Sequence, residues 1–394
     1  MRFALATYGT EGDTRPLAVL GRALLDAGHE VCLLAAAGTL GSADALGVPA
    51  SAFEGDIREA LQARATAAAL AKVANANTES WMRQLRDAAQ GCDAILVSGL
   101  AAFVGLSVAE YFRVPAIGLG LIPITPTRAF ASPFLAPGRV PTFLNRASHE
   151  LVNAMIWRAF RRATNAARAK VCALPPRRRV WRDHPMLYGI SPALVPQPHD
   201  WPANARMCGQ FRGPASSQPL DAALEMFLAS GEPPLYVGFG SMAGFDRARF
   251  REALVEGVSG RRTVFFPGWS GLDAAALPAN FHLVGHTPHD RLFPRVSMVV
   301  HHGGSGTTHS AARAGVPSVV VPQAGDQPFW AERVARLGIG SVVRGGARFT
   351  AEALARAIEI ADRDESRVRA REVGEKMARE DGVASALAAI ALLS

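Results

Sequence analysis

The chain has 394 residues, 49% of them apolar and 19% charged, with a formal net charge of +8 at pH 7. This length suffices for two domains of about 200 residues each, and no apolar run reaches the roughly 18 residues that a membrane span needs. Cys32, Cys92, Cys172 and Cys208 are widely spaced without a CxxC pair, which argues against zinc and a disulfide framework. The cysteine usage, and an N-terminus that does not resemble a signal peptide, predict a cytoplasmic protein.

The positive charge comes almost wholly from arginine. No basic stripe with interleaved aromatic side chains is found, so we do not expect a nucleic-acid partner. The densest basic segment covers residues 158–182. It is interpreted either as a solvated helix face with a linker, or as a surface that contacts anionic lipid on the inner face of the membrane.

Strand-like apolar runs alternate with helical stretches along the first half of the chain. Pro16 to Ala27 is predicted as a helix with proline in its first turn, and residues 148–170 as one long amphipathic helix. Residues 175–202 show little regular pattern. The predicted strands of this half are residues 3–7, 31–35, 94–98 and 116–120.

The same alternation begins again in the second half, after a glycine- and proline-rich linker at residues 209–219. Its predicted strands are residues 234–240, 263–266, 281–284, 298–301, 318–321 and 340–343. Strands alternating with helices predict an α/β chain with two Rossmann-like domains facing each other across a cleft. We expect domains at residues 1–208 and 220–375, and a C-terminal helix at residues 376–394 that packs back on the first domain.

The most informative segment is residues 301–317, with the sequence HHGGSGTTHSAARAGVP. It predicts a strand, a glycine-rich turn and a helix whose first N–H groups point at an anion. A helix N-terminus with few obstructing side chains is typical of a diphosphate site. The candidate residues are His302, Gly304, Ser305, Gly306 and Thr307.

Two further glycine turns follow predicted strands, at residues 9–13 and 238–241. Neither has the GxGxxG pattern, so a dinucleotide dehydrogenase is disfavoured. Gly240 and Ser241 in the second turn are candidates for another phosphate contact. Thr10 and Gly12 belong to the first turn.

Three carboxylate-containing motifs have two interpretations each. Asp326 and Gln327 suit the vicinal hydroxyls of a sugar, although Asp326 also fits a helix N-cap. Asp13 is either an N-cap or a general base whose pKa is raised by burial. Asp362 and Asp364 form a DxD, but in a highly charged helical stretch, so we predict a solvated face and no metal site.

These motifs resemble those of family-1 nucleotide-sugar glycosyltransferases with the GT-B fold. HHGGSGTT, GVPSVVVPQAGDQP and the residues 329–333 are similar to the bacterial glycopeptide-antibiotic and sterol glycosyltransferase branch, as are the N-terminal GTEGDTRPL and residues 123–128. The resemblance extends over nearly the whole chain.

The resemblance implies a role for each matching position. His302 and the turn at residues 305–307 match the diphosphate contacts, Asp326 and Gln327 the sugar contacts, and Ser241 a phosphate contact. His286 stands where many plant relatives have a tryptophan over the base, and Trp269 is the candidate to cover the nucleotide instead. Ser310 replaces the plant glutamate that binds the ribose, so UDP- and dTDP-sugars both stay open. In this branch an aspartate at the position of Asp13 is the suspected base.

The resemblance therefore implies an inverting, metal-independent hexosyltransferase with no permanently bound cofactor. A nucleotide-diphosphate sugar is the co-substrate, and the acceptor is a lipophilic natural product, sterol or lipid with a hydroxyl group. The acceptor site is expected in the N-terminal half, with an apolar lining of Phe103, Pro123, Ile124, Phe130 and Phe134. A monomer and a homodimer are both compatible with the sequence.

Two other classes of function share these features. A nucleotide-sugar 2-epimerase has the same two-domain cleft but converts its donor without an acceptor. A non-catalytic partner protein would bind nucleotide sugars without turnover.

Overall fold

The structure is a computed structural model that describes residues 1–55, 67–216, 218–239, 247–268, 277–343 and 349–393. Its strands are β1 (Arg2–Ala6), β2 (Glu30–Ala36), β3 (Ala50–Phe53), β4 (Ala94–Val97), β5 (Ala116–Gly120), β6 (Met186–Tyr188), β7 (Ala205–Met207), β8 (Leu235–Gly238), β9 (Thr263–Phe266), β10 (Phe281–Leu283), β11 (Met298–His301), β12 (Ser318–Val320) and β13 (Gly340–Val342).

The α-helices are α1 (Glu11–Asp26), α2 (Gly41–Asp44), α3 (Ala67–Ala88), α4 (Ala102–Phe112), α5 (Asn145–Cys172), α6 (Ala222–Ala229), α7 (Arg247–Gly257), α8 (His289–Leu292), α9 (Ser305–Arg313), α10 (Gln327–Leu337), α11 (Ala351–Ala361), α12 (Asp364–Ala378) and α13 (Gly382–Ala391).

The strands form two parallel sheets, one in each half of the chain. The first has the order β3-β2-β1-β4-β5-β6-β7 and the second the order β10-β9-β8-β11-β12-β13. Central strands such as β4 and β11 are buried throughout, as expected for apolar strands with helices on both faces of the sheet. The predicted α/β class with two Rossmann-like domains is confirmed.

The strand order reverses once in each sheet, between β1 and β4 and between β8 and β11. At such a switch point the loops on the two sides diverge and leave a crevice at the carboxyl ends of the strands. The turns at residues 7–13 and 302–307 both leave their sheets at these crevices.

The structure corrects two local predictions in the first half. Helix α1 begins at Glu11, five residues before Pro16, because Thr10 serves as its N-cap and Asp13 completes a capping box. Residues 175–202, predicted as irregular, contribute β6, which pairs with β5 and β7. A three-residue strand is too short to show a periodic pattern.

The basic segment at residues 158–182 is only partly a solvated face. The side chain of Arg168 is fully buried and its guanidinium forms a two-pronged contact with Glu110, at 3.0 and 3.1 Å. Arg177 binds the same carboxylate at 3.2 Å and lies 4.3 Å from the Trp181 ring centroid. Arg168 stabilises the packing of α5 against α4, and Arg177 attaches the segment after α5 to the same carboxylate of α4. The other arginines of the segment are exposed.

The two halves of the chain make direct contacts. The Phe130 ring lies 5.4 Å from Phe329, and the Arg333 guanidinium lies 4.9 Å from each of these two rings. Helix α13 returns to the first half, where Ala386 and Ile390 join the core around Leu17 and Leu24. The C-terminal segment therefore fastens the second half to the first.

In the part of the chain that the structure describes, we find no helix with both the length and the apolar character needed to cross a membrane.

Candidate active site

Asp13 lies in the first turn of α1, at the crevice of the first sheet. Its Oδ2 accepts hydrogen bonds from the Thr10 N–H at 2.7 Å and the Thr10 hydroxyl at 3.1 Å. Burial raises the pKa of the Asp13 carboxyl, against the hydrogen bonds from Thr10, which lower it. The side chain is therefore held in one position and is more basic than an ordinary aspartate.

Two glycines make room for this carboxylate. A Cβ on Gly9 would stand 2.2 Å from Asp13 Oδ2, and Gly99, with a φ of +57°, lies just after β4 on the other side of the crevice. A Cβ on Gly99 would be 3.7 Å from Asp13 Oδ1 and 2.9 Å from the Tyr8 carbonyl. Only glycine fits either position without displacing its neighbours. The absence of side chains at Gly9 and Gly99 leaves the space that the Asp13 carboxylate occupies at the switch point of the sheet.

In the second half, the turn between β11 and α9 is shaped by its own residues. The Gly303 N–H donates to Nδ1 of the buried His301 at 3.1 Å, and Gly303 adopts a φ of +92°. Burial and the nearby His302 and His289 lower the pKa of His301 to about 3, so its ring is neutral and can accept this bond. Gly304 is the N-cap of α9 and has no side chain, so the first N–H groups of the helix are left for a ligand.

His302 lines this turn. A Cβ on Gly304 would come within 2.6 Å of His302 Nε2, so the ring lies directly against the turn. Burial lowers its pKa to about 4, and its buried Nδ1 has no hydrogen-bond partner among the described residues. His302 is thus a neutral hydrogen-bonding group beside the helix N-terminus.

His309 connects the same helix to the first half of the chain. Its Nε2 accepts the Ser191 N–H at 3.1 Å, which leaves Nδ1–H to donate to the Ser305 carbonyl at 2.7 Å. Burial lowers the pKa of His309 to about 4, which preserves the neutral form that both bonds require. One buried ring therefore ties the first turn of α9 to the loop after β6.

Asp326 and Gln327 stand at the start of α10, after β12. Asp326 is the N-cap by position, but its Oδ2 accepts from Trp330 Nε1 at 2.7 Å and makes no capping bond. Gln327 Oε1 accepts the N–H groups of Gln323 and Ala324 at 2.8 and 3.1 Å. These contacts orient both side chains and leave Asp326 Oδ1 to accept and Gln327 Nε2 to donate.

The sugar-binding candidates and the diphosphate candidates are packed together. A Cβ on Gly303 would stand 3.1 Å from the Gln327 carbonyl oxygen and 2.8 Å from Val320. The glycine turn and the loop before α10 therefore form one continuous wall.

The charge of Asp13 acts on the other carboxylate of the cleft. Burial, together with the negative charge of Asp13, raises the pKa of Asp326 to about 6, against the hydrogen bond from Trp330, which lowers it. Asp13 lies in the first turn of α1, after β1 of the first sheet, and Asp326 in the loop that follows β12 of the second. The fold therefore brings together two groups that are 313 positions apart in the chain.

The predicted acceptor residues differ in whether other side chains of the protein already pack against them. Phe103 packs within an aromatic cluster, 5.1 Å from Trp157, and Phe130 packs against Phe329 between the two halves of the chain. Pro123 is buried, Ile124 is half-buried and Phe134 is 38% exposed. The protein's own side chains already engage the rings of Phe103 and Phe130.

The other residues predicted to bind the donor differ in their exposure to solvent, and three of them are outside the described residues. Gly12, Gly306 and His286 are exposed, and Thr10, Ser305 and Thr307 are half-buried. The His286 ring lies 5.2 Å from Phe266. Gly240, Ser241 and Trp269 lie outside the described residues.

Sequence reasoning missed three residues that shape the site. Trp330 orients Asp326, and the spacing of four residues on one helix could have suggested it. His309 follows Ser305 by the same spacing. Gly99 gives no signal of its own, because its importance comes from the neighbouring strand.

Comparisons with known proteins identify similar sequences and similar folds. The family model for the erythromycin biosynthesis protein CIII-like C-terminal domain matches residues 259–388. A sterol 3-beta-glucosyltransferase of Debaryomyces hansenii is 30% identical over 421 aligned positions, which cover 98% of this chain and 26% of that protein. The chain thus spans about a quarter of the length of this relative.

Solved structures share the fold over the whole chain. The glycotransferase of kitacinnamycin has a TM-score of 0.72 at 20% identity and covers 99% of this chain and 98% of its own. The glycosyltransferase VinC, solved in complex with DTDP, has a TM-score of 0.69 at 18% identity and covers 100% and 99%. The GT-B fold is confirmed, and so is the resemblance to sterol and antibiotic glycosyltransferases.

Proposed function

We propose that this chain, with its GT-B fold and its resemblance to sterol and antibiotic glycosyltransferases, transfers a sugar from a UDP- or dTDP-sugar to a hydroxyl group. The acceptor is a lipophilic small molecule. The observation that carries the proposal is the buried carboxylate of Asp13, held at the crevice of the first sheet and electrostatically coupled to Asp326 in the second.

In the proposed reaction Asp13 takes the proton of the acceptor hydroxyl. The hydroxyl oxygen attacks the anomeric carbon from the face opposite the diphosphate, so the configuration inverts. A raised pKa supports this role, because a base is most effective when its pKa lies near the working pH.

The departing diphosphate gains negative charge as its bond to the sugar breaks. The free N–H groups at the start of α9 and the neutral His302 supply hydrogen bonds and a helix dipole at that point. This electrostatic stabilisation needs no metal ion. In this proposal Asp326 Oδ1 accepts a hydrogen bond from one sugar hydroxyl and Gln327 Nε2 donates to a neighbouring one.

The experiment is a screen of nucleotide sugars against lipophilic hydroxylated acceptors, with products detected by mass spectrometry, followed by Asp13→Asn. Asparagine can still accept the Thr10 N–H, so the helix cap is preserved. We expect turnover to fall by about 10²–10⁴-fold, the usual contribution of a general base. Nucleotide binding, measured by calorimetry, should stay close to that of the parent chain. The thermal midpoint at pH 7 should not fall, because the burial that raises the pKa of Asp13 penalises its charged form.

Retained turnover in Asp13→Asn would show that the base is elsewhere, with Asp326 the next candidate. Conversion of the donor in the absence of any acceptor would favour the 2-epimerase. Binding of nucleotide sugars without any product in the screen would favour a non-catalytic binding protein.

A further inference from the structure

The outer face of α5 carries apolar side chains in contact with solvent. Leu151 and Met155 are 60% and 62% exposed, and Phe143, just before the helix, is 83% exposed. Leu151 and Met155 are one turn apart and point the same way. Large apolar side chains grouped on one exposed face indicate an interaction surface.

Exposed arginines continue this face along the helix. Arg158 follows Met155 by three residues and Arg162 follows Arg158 by four, so both lie on the same side as Leu151. Further exposed arginines stand beside them on α5 and on the segment that runs along it, where Trp157 Nε1 donates to the Arg178 carbonyl at 3.1 Å. The exposed arginines of this region are Arg158, Arg161, Arg162, Arg178, Arg179 and Arg182.

These six arginines have no carboxylate partner within the described part of the chain, unlike Arg168 and Arg177, which share Glu110, and Lys170, which pairs with Glu79. Between positions 140 and 183 the only acidic residues are Glu150 and Asp183. The region therefore has a strong local excess of positive charge next to exposed apolar side chains.

The inner face of the same helix holds the loop predicted to line the acceptor site. Asn153 Nδ2 donates to the Ile124 carbonyl at 3.1 Å, and the buried His149 Nε2 bonds the Phe130 carbonyl at 3.1 Å. The Ser132 N–H donates to Ser148 Oγ at 2.9 Å. One helix thus has the acceptor loop on one side and the apolar, basic face on the other.

We propose that Phe143, Leu151, Met155, Arg158, Arg161 and Arg162 form a docking surface for an anionic lipid bilayer. The apolar side chains enter the headgroup region and the arginines contact the anionic headgroups, an arrangement typical of helices that lie in the plane of a membrane. This deepens the proposed function, because it brings the acceptor loop next to the phase in which a lipophilic acceptor dissolves.

The charge distribution favours a bilayer over a second copy of the chain. Apposing two such surfaces would bring unpaired arginines near each other, whereas an anionic bilayer compensates all of them at once. Among residues 141–182, all of which the structure describes, Phe143 is the exposed aromatic side chain, because the rings of Trp157, Phe160 and Trp181 pack in one aromatic cluster. This disfavours stacking with single-stranded nucleic acid.

The first experiment is co-sedimentation of the purified chain with vesicles of phosphatidylcholine and phosphatidylglycerol in equal parts, compared with phosphatidylcholine alone. We expect binding to the anionic vesicles that weakens as salt is added. Replacing Arg158, Arg161 and Arg162 by serine should lower the partition coefficient about 100-fold, since each surface arginine contributes about fivefold. The matched control replaces three exposed cations of the other half, Arg356, Arg363 and Lys376, and should bind like the parent.

The second experiment tests the apolar part with Leu151→Ser and Met155→Ser together. We expect at least a tenfold loss of vesicle binding, while Met226→Ser, at an equally exposed apolar position on α6, should leave binding unchanged. Thermal unfolding of each variant verifies that the fold is intact.

The proposal is wrong if the parent chain binds neither vesicle, or if the control substitutions reduce binding as much as those on α5. It is also wrong if Leu151→Ser with Met155→Ser changes the oligomeric state in light scattering but not vesicle binding, because the face is then a contact between copies. None of these readouts depends on glycosyl transfer, so they are separate from the test of the proposed function.

Discussion

The two walls of the cleft are held in place in different ways. On the proposed donor side, most of the hydrogen bonds that shape the site join residues two to four positions apart, such as Gly303 to His301 and Trp330 to Asp326. The bond from Ser191 to His309 is the long-range exception. On the acceptor side, the loop is fixed by side chains of α5 that are 16 to 29 positions away, such as Ser148 and Asn153. The donor wall is therefore a local motif, whereas the acceptor wall exists only after α5 has packed.

This difference teaches where a sequence reveals a site. A locally built wall leaves a contiguous pattern, and residues 301–327 are readable for that reason. A wall assembled from distant segments leaves apolar residues that cannot be told from ordinary core.

The largest expected effect on stability compares two predicted acceptor residues. Phe130→Ala removes a buried ring between Phe329 and the Arg333 guanidinium, so we expect a loss of about 3–5 kcal/mol in the free energy of unfolding. Phe134→Ala, at an exposed position, should change it by less than about 0.5 kcal/mol. Urea unfolding of both variants measures this, and equal losses would mean that Phe134 is also packed within the fold.

The next comparison is between two glycines of the donor turn. Gly303→Ala forces a side chain into a φ of +92° and against Val320, which should cost about 1–3 kcal/mol of stability and weaken nucleotide binding. Gly306→Ala meets no atom within 4 Å and should keep or slightly raise stability. Because Gly306 is in the proposed diphosphate turn, Gly306→Ala should weaken nucleotide binding without loss of stability, whereas Gly303→Ala should weaken both. Calorimetry with UDP and dTDP measures the binding, and urea unfolding measures the stability.

The smallest expected effect on the free energy of unfolding concerns the carboxylate of Asp326. The pKa of Asp326 is raised to about 6 in the folded chain, above its unfolded value, so the ionised form opposes folding at pH 7. Asp326→Asn should therefore increase the free energy of unfolding at pH 7, by on the order of 1–3 kcal/mol. The gain should shrink as the pH falls through about 6 towards 4, because the parent carboxyl then becomes neutral in the folded state.

Thermal unfolding of the parent chain and Asp326→Asn between pH 4 and 7.5 gives the comparison. Asp44→Asn, at an exposed carboxylate on the short helix α2, is a control in the first half. A pH-independent difference between the parent and Asp326→Asn would show that the carboxyl does not titrate near 6.

Much of the fold was predictable because its signals are local. The alternation of apolar strands and helices predicted two parallel sheets, and most strand positions agree with the structure to within two residues. Strands β3, β6 and β7 were missed, because each has only three or four residues and joins the sheet through its neighbours rather than through a pattern of its own. The start of α1 was placed at Pro16 rather than Glu11, because the capping box of Thr10 and Asp13 was not recognised.

The sequence by itself determined the class of fold, the glycine-rich turn before α9 and the adjacency of Asp326 and Gln327, since each depends on residues that are close in the chain. The tertiary structure decided the rest. Only the reversal of strand order brings Gly99 against Asp13, only the approach of the two sheets exposes Asp326 to the charge of Asp13, and only the packing of α5 buries Arg168 while leaving Leu151 and Arg158 in solvent. Burial and electrostatic coupling depend on which residues are close in space, and residues far apart in the chain become neighbours only when it folds.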